Sequence, residues 1–145
     1  MTPEEARWRF ASARVARLAT ADSAGRPHLV PLVFAVDGET VVSAVDHKPK
    51  RTDCLRRLAN VTANPRVSLL ADEYREDWAE LWWVRADGSA RVVAPGSADH
   101  HRAVQLLVGR YDQYRQQAPA GPALVVDVER WSGWAATPGA GAGGA

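Results

Sequence analysis

The chain has 145 residues, with 18 Lys and Arg against 17 Asp and Glu and a formal net charge of +1. That length fits one domain able to bury roughly 70% of its unfolded surface, and the near-even charge excludes a strongly polyanion-seeking protein. The single cysteine, Cys54, excludes an internal disulfide and any multi-cysteine zinc site. No N-terminal stretch has the charged-then-apolar layout of a signal peptide, and no apolar run approaches membrane-spanning length, so the expectation is a soluble, cytoplasmic protein.

In chain order, Thr2 can cap a helix begun by Pro3, with Glu5 completing a capping box, so a short helix is predicted over Pro3–Ala13. Val15–Thr20 alternates weakly and reads as a strand, and Ala21–Pro27 is turn chemistry. His28–Val36 is almost continuously apolar and reads as a second strand. Pro31 inside it cannot donate a ladder hydrogen bond, so it belongs at an edge, at a bulge or against a ligand. Asp37-Gly38 is a hairpin signal, and Thr40–Val45 is the returning strand.

Cations then crowd the next stretch: Lys48, Lys50, Arg51, Arg56 and Arg57 lie within ten residues, offset only by Asp53. Cys54, Leu55, Leu58 and Val61 recur at helical spacing, so the run sits where a strand hands over to a helix. Pro49 disfavours helix at Lys48, and the helix is expected to begin after it. Unpaired N–H groups at a helix start attract anions, and flanking Lys and Arg add to that field. A phosphate or polycarboxylate pocket is therefore expected, against the alternative of a solvated charged loop.

Asn64-Pro65 stops the helix, and Arg66–Ala71 reads as a strand. Asp72–Asp77 is a polar loop, Trp78–Arg85 is rich in strand formers, and Asp87-Gly88 is read as a turn back into Ser89–Val93. Ser97 caps a helix predicted to run to about Tyr114; Ala123–Val128 is a final strand, and Glu129–Ala136 carries Trp131 and Trp134. One domain over 1–136 and a Gly/Ala tail over 137–145 are expected. About six strands in hairpins with inserted helices argue for a mainly β, antiparallel barrel.

Several motifs fail. Gly139–Gly144 matches G-x-G-x-x-G but follows no strand and opens no helix. His100 and His101 are adjacent in a helix and are expected at the surface, and Asp22, Ser23 and His28 lack the elbow of a nucleophilic serine. No metal-ligand set and no acid/base or nucleophile constellation stands out, which suits a protein whose cofactor carries the hard chemistry.

The order R-V-A-R-L-A-T, G-R-P-H-L-V-P-L-V-F, V-D-H-K-P-K-R-T-D-C-L-R-R-L, N-P-R-V-S-L-L and D-W-A-E-L-W-W-V-R resembles the pyridoxamine 5′-phosphate oxidase-like split β-barrel proteins. Within them it is most similar to the actinobacterial oxidoreductases that use the deazaflavin coenzyme F-420 in place of FMN. The resemblance implies a split-barrel homodimer with cofactor clefts between the barrels. It implies that Lys48, Lys50 and Arg51 contact the cofactor phosphate, that His28, Val30, Pro31 and Leu32 face the tricyclic ring, and that Ser43, Ala44 and Val45 follow the polyol chain. Val30-Pro31 stands where some relatives carry hydrogen-bonding side chains, so contacts to the ring edge fall to backbone groups. Trp131 or Trp134 is a candidate to wall the partner's cleft, Trp82 and Trp83 read as core or dimer interface, and Arg14 and Arg17 could assist the phosphate site.

The expected function is hydride transfer from reduced F-420 to a small conjugated or heteroaromatic acceptor. The alternatives are an FMN-dependent oxidase or flavin reductase, a non-catalytic cofactor carrier and, least in keeping with the charge, a nucleic-acid-binding barrel. No membrane partner is expected, and no general acid is identified.

Overall fold

The computed structural model describes residues 1–45 and 52–137, of which 52–55 by backbone alone. Lys48, Lys50, Arg51, the Cys54 side chain and the glycines of 139–144 lie outside the described residues. The elements run α1 (Pro3–Ser12), β1 (Ala16–Ala21), β2 (Pro27–Leu32), β3 (Ala35–Asp37), β4 (Thr40–Ala44), α2 (Thr52–Ala63), β5 (Arg66–Glu73), a 3-10 turn (Trp78–Glu80), β6 (Trp82–Val93), α3 (Ala98–Arg110), α4 (Asp112–Gln116) and β7 (Ala123–Ala135). The capping box of α1 forms as expected, Thr2 Oγ1 accepting from Glu5 N–H while the Glu5 carboxylate accepts from Thr2 N–H.

The strands form one seven-stranded antiparallel sheet in the order β2-β1-β5-β6-β7-β4-β3. Its two outer strands, β2 and β3, are joined only by Val33 and Phe34, and three residue steps reach about 11 Å at most. The sheet must therefore roll until its edges meet, which makes a barrel closed by the chain rather than by a ladder: a split β-barrel.

Inside it, Leu18, Val41, Leu69, Val84, Leu124 and Val126 pack with Phe10 of α1 and Val61 of α2. A second cluster lies on the outside, where Ala103 and Leu107 of α3 cover Ala35, Val42, Ala123 and Val125. Strands β4 and β7 are thus buried on both faces here, which is why T-V-V-S-A and A-L-V-V lack the alternation of a half-buried strand.

Four expectations are corrected. His28–Val36 is two strands, because the chain changes edges at Val33–Phe34. Asp87-Gly88 is no turn: β6 runs straight through it, with a register shift there that leaves Glu129 of β7 as the extra residue of a bulge. Gly88 is needed for close approach instead, since a Cβ on it would lie 2.1 Å from the Asp127 carbonyl oxygen. The helix expected to reach Tyr114 breaks at Tyr111, which is extended (φ −116°, ψ 122°). His100 is buried rather than surface, its Nε2 2.8 Å from the Gly121 carbonyl oxygen.

Gly88→Ala therefore forces a methyl into backbone and should cost about 3 kcal/mol. Gly109→Ala, on the open side of α3 with nothing within 4 Å, should instead stabilise by about 0.5–1 kcal/mol. Urea unfolding of both variants checks this; equal, small effects would contradict the close approach.

Candidate functional site

The closure at Val33–Phe34 leaves backbone groups with no strand to bond, and side chains take them up. Ser43 Oγ donates to the Val33 carbonyl at 2.8 Å. Tyr111 Oη accepts from Phe34 N–H at 3.1 Å and lies 2.8 Å from the Phe34 and 3.2 Å from the Arg14 carbonyl, to one of which it donates. Arg110 donates from Nη1 to the Phe34 carbonyl at 2.7 Å and from Nη2 to the Ala13 carbonyl, with its guanidinium over the Phe34 ring at 4.8 Å. Burial here pushes the Arg110 pKa down. The Phe34 ring is fully buried against Phe10 at 4.7 Å, and Trp131 stands edge-on to Phe10 at 5.5 Å.

These contacts hold β2 at the end of the sheet, with one side of its backbone lacking a strand neighbour among the described residues. Pro31 is exposed there, an edge position that its missing N–H allows. Of the other residues expected at a cofactor, Val30 and Leu32 instead turn their side chains into the barrel core. Leu29, exposed at 67%, takes the outward place beside Pro31. Ser43, Ala44 and Val45 are all buried, with the Ser43 hydroxyl engaged on Val33. Trp131 is interior, its Nε1 donating to Glu39 at 2.6 Å, whereas Trp134 stays on the outer face, half exposed and paired across the ladder with Trp83.

His28 faces the other way from Leu29, opposite Thr20 of β1. Thr20 Oγ1 accepts from Asn60 Nδ2 of α2 at 3.0 Å, and Arg57, one helical turn before Asn60, is on the same side of α2 and buried. In this polar corner two buried nitrogens have no hydrogen-bond partner among the described residues, His28 Nδ1 and Arg57 Nε. Orphaned buried polar atoms are costly, and a native site keeps them where something else supplies the partner. Arg57 went unrecognised as a site residue among the other cations, although Arg57, Asn60 and Val61 stand at i, i+3 and i+4.

The outer face of β2, β1, β5 and the first half of β6 carries no described helix. Its ladder rows read Leu29–Ala19–Ser68–Asp87 and Pro31–Arg17–Leu70–Arg85. Asp87 is tied by Ser68 and by Arg85 at 2.9 Å, and Arg17 reaches Asp72 at 3.3 Å. At the β1–β2 turn, the Asp22 carboxylate accepts from the N–H groups of Arg26 and Ala24, and the Arg26 bond holds its pKa below the usual value. No group of three or more His, Cys, Asp or Glu among the described residues could hold a metal ion, and no helix among them is long and apolar enough to cross a membrane.

The family model for pyridoxamine 5′-phosphate oxidase matches residues 2–135. The chain belongs to that family. Solved structures of similar fold include the haem-storage protein HutZ of Vibrio cholerae, at 19% identity, TM-score 0.69 and coverage of 93% of this chain and 95% of that one. A conserved hypothetical protein of Mycobacterium tuberculosis matches at 22% identity and TM-score 0.71 over 94% of this chain and 86% of that one. An FAD-binding protein of Mesorhizobium loti matches at 22% identity and TM-score 0.68 over 92% and 94%. No curated protein matches. At these identities the solved structures speak for the oxidase-family fold alone.

Tyr111→Phe leaves the Phe34 N–H buried without its acceptor and should cost about 1–3 kcal/mol. Amide hydrogen exchange at Phe34 should accelerate well beyond that of the β5–β6 ladder; exchange unchanged at Phe34 would contradict its role in closing the barrel.

Proposed function

We propose that the protein is a homodimeric oxidoreductase that holds a flavin-type cofactor against β2, with the deazaflavin coenzyme F-420 as that cofactor and FMN as the alternative. The observation that carries this reading is the polar corner beside β2, where His28 Nδ1 and Arg57 Nε are buried and unpartnered. Both can donate to an anionic or carbonyl-bearing group, and in the sequence Lys48, Lys50 and Arg51 directly precede α2. The residues present therefore fit a phosphate-bearing planar cofactor. Lys48, Lys50 and Arg51 would carry its phosphate, His28 and Arg57 its nearer polar atoms, and the open backbone of β2 with Leu29 and Pro31 its ring.

When bound, the reduced cofactor supplies a hydride. The acceptor would take that hydride and one proton from solvent, gaining the two electrons the cofactor would lose. The protein's share is orientation at near-attack distance, roughly 3–3.5 Å, and exclusion of water. A second copy would support that exclusion: Leu29 and Leu70 are exposed on the outer face that no described helix covers, with Trp134 of β7 exposed beside it, the kind of apolar surface a partner barrel covers.

Parallel titration with F-420, FMN and haem, read by tryptophan quenching, tests the reading. F-420 should bind at micromolar concentration or tighter and the complex should sediment at twice the chain mass. Lys50→Ala should weaken that binding by about 1.5–3 kcal/mol without changing the melting midpoint. Preference for FMN would move the function to the flavin side of the family, and haem binding alone would overturn it.

A further inference from the structure

A separate groove of about 500 Å3 opens between the end of α1, the start of β1 and the ends of β5 and β6 that meet there. Trp8, Arg9, Arg14, Arg17, Glu73 and Trp82 are among the residues that line it. Its two carboxylates are already neutralised within the fold. Asp72 pairs with Arg17 at 3.3 Å, while Glu73 accepts from Arg75 and from Trp82 Nε1 at 3.0 Å. Arg75 is also the larger cause, ahead of Trp82, of a Glu73 pKa below its ordinary value, so this carboxylate stays ionised and satisfied.

What remains is positive and aromatic. The Arg9 guanidinium lies over the Trp82 ring at 5.6 Å. Arg14 is exposed, and its guanidinium enters no ion pair or hydrogen bond among the described residues. Trp8, 54% exposed, and Val15, 44% exposed, leave apolar surface open beside it. A free guanidinium recognises a carboxylate through two parallel N–H groups, and an indole face offers a wall to a flat ring. The volume is that of a pocket for a small organic molecule.

The groove also has an address. Arg17, which lines it, is the direct ladder partner of Pro31, so one strand spacing separates the groove from the strand proposed to hold the cofactor. We propose that this groove binds the acceptor as a planar conjugated carboxylate, with its carboxylate on Arg14 and its ring against Trp8. The acceptor role rests on the reading of β2 as the cofactor strand; the binding of a planar carboxylate does not.

Calorimetric titration of the full chain with trans-cinnamate and with its neutral isostere trans-cinnamamide, with and without F-420, separates the two. Cinnamate should bind at least about tenfold more tightly than cinnamamide. Arg14→Gln should remove that difference while keeping the wild-type melting midpoint. Equal affinity for the two probes in the wild type, or a preference that survives in Arg14→Gln, overturns the groove as a carboxylate site even where F-420 binds. A cinnamate preference that depends on Arg14 in a protein that fails to bind F-420 sustains the carboxylate site and overturns its acceptor role.

Discussion

The barrel depends on a two-residue joint. Val33 and Phe34 carry the chain from one outer strand of the sheet to the other, and that short reach rolls the sheet into a closed wall. No ladder can form at the joint, so its backbone groups would be left without partners in a buried place, at a cost of several kcal/mol in all. Ser43, Arg110 and Tyr111 supply those partners from two different elements. The Phe34 side chain, buried against Phe10, anchors the same point in the core. Helix α3 ends at Arg110 because its next residue must leave the helix to bring the Tyr111 hydroxyl to Phe34.

The same joint makes the candidate site. A strand that must end the sheet has one open backbone side, and β2 fills that position with Leu29 and Pro31 outward and His28 inward. Helix α2 then brings Asn60 and Arg57 to the inner side of β1, where Asn60 bonds Thr20 and Arg57 does not find a partner for Nε. Strand closure, an open edge and unsatisfied donors thus occur together in one region. The outer face that no described helix covers continues from it across β1 and β5, so cofactor, acceptor groove and partner barrel would all share a boundary with β2.

Much of this was legible in the residues. The capping box at Thr2, the Asn64-Pro65 stop and the edge placement of Pro31 follow from local chemistry that tertiary contacts had no reason to override. The errors came where a local signal served a distant contact. Asp87-Gly88 has turn chemistry, yet Gly88 is small because the Asp127 carbonyl passes over it, 39 positions away in the chain. His100 looked like one of two surface histidines, and only packing against the Gly121 carbonyl buries it. Val30 and Leu32 were placed at a ring by the family resemblance alone, and their apolar side chains suit the core they enter equally well. Arg57 was hidden by its neighbours, since a buried guanidinium and a solvated one read alike in a run of cations.

The central claim is that β2 is the cofactor strand, and hydrogen exchange of its amides with and without F-420 tests it most directly. The Leu29 amide, which shares the open side of β2 with Pro31, should slow sharply when the cofactor is added, together with the start of α2, while the β6–β7 ladder stays unchanged. Protection that appears elsewhere and leaves β2 as fast as in the free protein would contradict the account.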